Sequence, residues 1–309
     1  MATLTAKELK GTWGTLLLPI NHDESIDFQR LAAELDYLVA SGINGIYSNG
    51  TAGEFYNQTE DEFDQINELL ARKCRAGNMP FQIGACHMSP ILTLKRIKRS
   101  KYLLPDAYQI ILPDWVTISP EEQINYLQKI AEIADPVPLV LYNPPHAKTN
   151  LSPSDFKNLI TEIPQLIGVK VASGDAQWSA AMRENASGIA VFVPGHRLAS
   201  GMQAGVGAGS YSNIACLNPA GAQRWYKLML EDMAEALKIE KKISAFFEQY
   251  IFPFAHAGYA NPALDKLLAS IGNWAPVGTR LRWPHKWVAE QDVMPLRKAA
   301  REMLPKIMI

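Results

Sequence analysis

Apolar residues along this chain fall into two alternating kinds of run. Short, continuous, β-rich stretches are followed by longer stretches whose apolar residues recur at helical spacing. "GTLLLPI" (14–20) precedes "SIDFQRLAAELDYLVASG", and "INGIYSNG" (43–50) precedes "TEDEFDQINELLARKC". "MPFQIGACH" (79–87), "AYQIILP" (107–113), "VPLVLYNPP" (137–145), "LIGVKVASG" (166–174), "IAVFVPG" (189–195) and "AGSYSN" (208–213) each precede a helical pattern in the same way. Ser25, Thr59, Ser119 and Ser152 stand where N-caps belong, ahead of acidic first turns. The strands are apolar throughout rather than alternating, as in a parallel sheet covered on both faces. Eight strand-then-helix units predict a (β/α)₈ barrel, an α/β fold. A doubly wound open sheet is the alternative, because element order alone does not prove closure.

After residue 230 the strand pattern stops. "LEDMAEALKIEKKISAFFEQY", "NPALDKLLASIG" and "VMPLRKAAREMLPKI" have helical spacing. The expected organisation is a barrel over 1–230 and a helical extension packed on it over 231–309. No Gly-, Ser- or Pro-rich linker separates the two.

Composition narrows the function. The 309 residues are 48% hydrophobic, ample for a large core. A net charge of −1 argues against nucleic acid or an anionic membrane as partner. No apolar stretch reaches the roughly 18 residues of a membrane span. The polar start "MATLTAKELKG" lacks the apolar segment of a secretory signal. Cys74, Cys86 and Cys216 have no metal-ligand or disulfide spacing. A cytoplasmic protein is expected.

In such barrels chemistry sits at the C-terminal ends of the strands. Those ends carry Asn49 to Glu54, Cys86 and His87, Asp114 and Trp115, Tyr142 and Asn143, Lys170, Gly195 and His196, and Ser210 to Asn213. Lys170 stands out, flanked by Val169 and Val171. Burial would lower its pKa and release a nucleophilic amine able to form a Schiff base. The other reading is a lysine paired with a buried carboxylate such as Glu54. Tyr142 ends the neighbouring strand and is either a proton donor for such an imine or a core tyrosine. The backbone of "NGTAGEF" (49–55) is either an anion cradle or a plain tight turn.

Together these segments resemble the dihydrodipicolinate synthase / N-acetylneuraminate lyase family. "GTAGE", "YNPP" and "GVK" followed by "SGD" stand in that family's order and near its spacing. The resemblance implies a pyruvate-dependent lyase on a (β/α)₈ barrel, needing no metal or other cofactor. It implies Lys170 as the Schiff-base lysine and Tyr142 and Thr51 as its proton relay. It also implies backbone N–H groups of Thr51 and Ala52 on the substrate carboxylate, and Gly195 against the substrate. The partners implied are pyruvate or a longer 2-oxo acid and an aldehyde, in a homo-oligomer, dimer or tetramer.

Three departures bear on the substrate. Ala52 replaces a hydroxyl residue of the family loop. "PPHAKTN" holds no arginine for a second carboxylate, only Lys148, which cannot form a bidentate fork. Trp115 stands where the lysine-biosynthetic synthase takes a tyrosine. These count against 4-hydroxy-tetrahydrodipicolinate synthase activity, while Trp115 and the proline turn suit a sugar- or aromatic-tailed 2-oxo acid, as in a hydratase-aldolase. Trp115 and His196 are accordingly substrate-contact candidates; a loop or interface anchor and a plain loop histidine are the alternatives. Among other classes, a metal-dependent hydrolase needs histidine pairs that the six histidines do not form. A non-catalytic 2-oxo acid sensor would need none of the relay.

Overall fold

The structure, a computed structural model, describes residues 4–309. Eight parallel strands close into one barrel in chain order. They are β1 (Gly11–Thr15), β2 (Gly45–Ser48), β3 (Phe81–Gly84), β4 (Ala107–Ile111), β5 (Leu139–Tyr142), β6 (Leu166–Lys170), β7 (Ala190–Phe192) and β8 (Gly207–Tyr211). The outer ring is α1 (Phe28–Ala40), α2 (Glu60–Ala76), α3 (Pro90–Ser100), α4 (Pro120–Ala134), α5 (Pro153–Glu162), α6 (Ala176–Asn185), α7 (Leu198–Gln203), α8 (Asn213–Leu217) and α9 (Pro219–Glu231). This is the (β/α)₈ barrel the apolar pattern predicts, and closure removes the open-sheet alternative.

The strands read as unbroken apolar runs because both of their faces are buried. Ile46, Ile83, Ile110, Leu141 and Val169 point outward into the layer beneath the helices. Trp13, Tyr47, Val140, Phe192 and Tyr211 point inward and fill the barrel with rings. The Tyr47 and Tyr211 ring centroids lie 4.2 Å apart, and those of Phe192 and Tyr211 4.7 Å. Such tilted aromatic contacts add to plain area burial.

The first strand differs from expectation. The ladder uses "GTWGT", and only the first two residues of "GTLLLPI" belong to it. Leu16 and Leu18 instead pack in the outer layer as the chain leaves the barrel. The cap of α1 also moves: Asp27 accepts from the N–H groups of Gln29 and Arg30, while Ser25 bonds to Asp23. Thr59 and Ser119 cap α2 and α4 with reciprocal Glu62 and Glu122 contacts, and Ser152 caps α5. In "KRIKRSK", Ile97 is buried as its spacing requires, but so is Arg96, which donates to Glu60 and to the carbonyl of Cys86.

Beyond the barrel come α10 (Met233–Phe246), α11 (Phe252–His256), α12 (Asn261–Gly272), α13 (Val293–Met303) and α14 (Pro305–Met308). A π-helical turn, Phe247–Ile251, joins α10 to α11. Turns of this kind are rare and concentrate at functional sites. No described helix is long and apolar enough to cross a membrane.

Candidate active site

Strand register brings the two singled-out side chains together. Tyr142 and Lys170 are paired residues of β5 and β6, at the C-terminal end of each strand. Paired residues on parallel strands share a face, so both point into the barrel mouth. The Lys170 Nζ lies 4.1 Å from the centroid of the Tyr142 ring. Its hydrogen-bond partner is the Tyr47 hydroxyl, at 3.5 Å. The Tyr47 and Tyr211 rings lie 5.6 and 5.5 Å from the amine, which completes a three-tyrosine cage.

The pairing of Lys170 with Glu54 does not occur. Glu54 is fully buried against Lys266 of α12, whose Nζ donates to Glu54 Oε1 at 2.6 Å. The charge state of Lys170 also differs from the expectation that burial alone sets it. Burial does oppose the ammonium, but Tyr47, Tyr142 and Asp265 favour it more, and the balance holds Lys170 above the ordinary lysine value. The resting amine is protonated. Tyr47 is pushed up by burial, against the pull of Lys170, so its hydroxyl stays neutral.

A cavity of about 260 Å³ opens above Lys170. Thr51, Ala52, Tyr142, Gly195 and His196 line it, so five of the expected site residues meet the lysine there. Thr51 and Tyr142 also border a second, smaller cavity with Asp114 and Asn143. Trp115 lines neither; it is 77% exposed, with Lys148 Nζ 4.9 Å from its ring.

The loop after β2 is shaped to present its backbone. Asn49 and Glu54 bracket it, both with left-handed backbone (φ 51° each). Such conformations cost energy in non-glycine residues and persist where the surroundings hold them. Among the described residues no backbone acceptor takes the N–H of Thr51 or Ala52. Gly195 is confined by the start of α8: a Cβ there would lie 2.7 Å from Ser212 Oγ and 2.8 Å from Asn213 Oδ1.

His196 is held by the same asparagine. Its backbone N–H donates to Asn213 Oδ1 at 3.0 Å, and Asn213 Nδ2 faces its Nδ1 at 2.8 Å. The ring stacks on Phe247 at 5.1 Å. Burial, and secondarily Arg197, lowers its pKa to about 4. It is therefore neutral, with Nδ1 accepting and the proton on Nε2.

Sequence reasoning missed Tyr47 and Asp265, and gave Tyr211 no role within the Ser210 to Asn213 strand end. Tyr47 lies within a strand pattern and signalled only core. Asp265 sits in α12, outside the barrel, yet lines the cavity. Burial raises it to about 6, with Lys170 pulling the other way. Among the described residues no three His, Cys, Asp or Glu side chains gather as a metal site would require.

A closed (β/α)₈ barrel with polar side chains gathered in a cavity at the C-terminal strand ends defines a class, the enzymes built on such barrels. Comparison with known proteins narrows it. The family model described as "Dihydrodipicolinate synthetase family" matches residues 8–301, and the chain belongs to that family. It is a lyase of the class I aldolase type. The N-acetylneuraminate lyase of Rhizobium meliloti (strain 1021) is 27% identical over 308 residues, 96% of each chain. Among solved structures, YagE of E. coli K12, a prophage protein in complex with pyruvate, superposes with a TM-score of 0.83 at 20% identity, covering 96% of this chain and 98% of YagE. CdNal of Clostridium difficile, in complex with mannosamine, gives 0.80 at 19% identity, covering 97% and 99%. At these identities the structural matches speak to the fold.

Proposed function

We propose that the protein condenses or cleaves 2-oxo acids through an imine on Lys170, with pyruvate as the ketone partner and an aldehyde as the other. The observation that carries this is the register pairing of Lys170 with Tyr142 at the floor of the cavity. Family membership supports it.

Each residue then has a task. The substrate carboxylate sits on the free N–H groups of Thr51 and Ala52, which fixes the ketone above Lys170. Ala52 contributes only its N–H, so this hold is weaker by one hydroxyl than in the usual family loop. Lys170 sheds its proton before attack; the hydroxyl of Tyr47, 3.5 Å away, stands beside it to pass that proton on, with the Tyr142 ring 4.1 Å from the amine. Addition to the ketone and loss of water leave a protonated imine. This cation draws electrons from the adjacent carbon, so a C–C bond one atom further breaks to give an enamine and an aldehyde. Tyr142, with Thr51, moves the aldehyde's proton; a positioned group of this kind contributes typically about 10²–10⁴-fold. Gly195 leaves room for the substrate backbone, and His196 offers its Nε2–H to the tail.

Lysine-biosynthetic synthase activity lacks support here, because no arginine follows "YNPP" and Trp115 lies away from the lysine. The homo-oligomer is an expectation from the family resemblance. The test is borohydride trapping with pyruvate followed by peptide mass spectrometry. A stable adduct on Lys170 that disappears in Lys170→Ala, with the variant's fold intact, is the expected result. Full turnover by Lys170→Ala would overturn the reading.

A further inference from the structure

The helical extension forms one wall of the cavity. Phe247, Ile251, Phe252 and Leu264 supply apolar surface, and Asp265 places a carboxylate among them. The π-helical turn carries Phe247 and Ile251 to this wall. The register of α12 is set by its neighbour in sequence: Lys266 is buried on Glu54 and on the carbonyl of Arg280, both at 2.6 Å. With Lys266 held on that side, Asp265 turns toward the barrel mouth.

Asp265 has no donor of its own. Burial raises its carboxyl and the charge of Lys170 opposes this, and among the described residues no hydrogen bond satisfies it. The cavity's only charged side chains are Lys170 and Asp265, since His196 is neutral. If Lys170 forms the imine as proposed above, its cation is balanced by the substrate's own carboxylate. The Asp265 charge is then left facing the rest of the substrate. A partly buried carboxylate on a cavity wall accepts strong hydrogen bonds from hydroxyl donors. It repels a second carboxylate, and no arginine lines the cavity to offset that.

We infer that Asp265 is the specificity-determining residue for the substrate tail: it accepts hydrogen bonds from an uncharged, hydroxyl-bearing tail and excludes one that carries a second carboxylate. The inference rests on the Schiff-base reading for where the tail lies, and the test separates the two. Equilibrium binding of 2-keto-3-deoxygluconate, a polyhydroxy 2-oxo acid, and of 2-oxoglutarate, a dicarboxylate, is measured on the full chain and on Asp265→Asn and Asp265→Ala. Pyruvate trapping on Lys170 is scored in parallel.

Wild type should bind the hydroxylated probe at least about tenfold more tightly than the dicarboxylate. Asp265→Asn, an isosteric change that preserves packing, should tighten 2-oxoglutarate about tenfold or more. Asp265→Ala should in addition weaken the hydroxylated probe by a similar factor. Equal changes for both probes, no change, or failure of wild type to bind the hydroxylated probe would overturn the assignment; equal changes would make Asp265 a plain counterion of Lys170. A shifted ratio without any pyruvate adduct would refute the Schiff-base reading and leave Asp265 in place. An adduct with an unmoved ratio would do the reverse.

Discussion

Replacing Lys266 with Met removes one half of a fully buried ion pair. Both side chains are 0% exposed, and the pair joins the loop after β2 to α12 across 212 residues of sequence. Burial lowers the Lys266 pKa, and attraction to Glu54 only partly offsets this. Desolvation therefore outweighs the Coulombic gain, and the pair as a whole adds little to stability. Breaking it is another matter, because Glu54 is then left charged and buried. Loss of one partner of such a pair typically costs about 3–5 kcal/mol. With an unfolding entropy of roughly 2.1 cal/mol/K per residue, a chain of this length loses about 5–8 °C in Tm. The assay is a thermal melt of wild type, Lys266→Met, Glu54→Gln and the double variant. Glutamine keeps an acceptor for the Arg282 N–H, which donates to Glu54 Oε2 at 3.2 Å. The double variant has no stranded charge, so it should recover much of the loss, with a coupling of about 2 kcal/mol. A Lys266→Met protein that melts within a degree of wild type, or a double variant whose loss equals the sum of the singles, would refute the argument.

Tyr142→Phe should still form the pyruvate adduct on Lys170 while kcat falls about 10²–10⁴-fold; single-turnover kinetics separate the two steps, and loss of the adduct itself would assign Tyr142 elsewhere. Asp265 sets a pH dependence of stability. Its folded pKa, about 6, lies above the ordinary 3.8, so its contribution is fully present below pH 4 and is lost as pH rises through 6. Lys170 opposes the shift; His196, lowered to about 4, titrates at the lower edge of that window in wild type and variant alike, and the buried Tyr47, Tyr211 and Cys216, all raised, stay neutral across it. The cavity hydrates the group in part, so the cost at pH 8 is about 1–3 kcal/mol. Asp265→Asn should therefore melt a few degrees above wild type at pH 8 and level with it at pH 4, and a constant difference at both would refute this.

The fold was legible because its two physical signals are local. Each strand is apolar on both faces, and each helix carries an apolar stripe, so eight alternations of period can be counted without seeing any contact. The count left closure open and the strand ladder supplied it, and the register then placed Tyr142 beside Lys170, as residues at the ends of consecutive strands should be. The signal failed where one apolar run serves two layers. The three leucines of "GTLLLPI" outweigh "GTWGT" in hydrophobicity, yet the ladder needs the earlier residues, whose Trp13 fills the barrel interior.

The site was legible only where strand order alone decides proximity. Tyr47 reaches Lys170 from 123 residues away, and its position mid-strand reads as core because it is core as well as site. Asp265 lay beyond sequence reasoning for a different reason. "ALDKLL" places an acid and a base side by side on one helix, and spacing cannot say which of the two turns inward. That choice is made by Glu54, which the alternative reading of the sequence pairs with Lys170. Because Glu54 binds Lys266 instead, Lys170 is left to the tyrosines and the cavity acquires a carboxylate. The lysine's own environment and the character of the substrate pocket thus follow from one buried ion pair between the barrel and its extension.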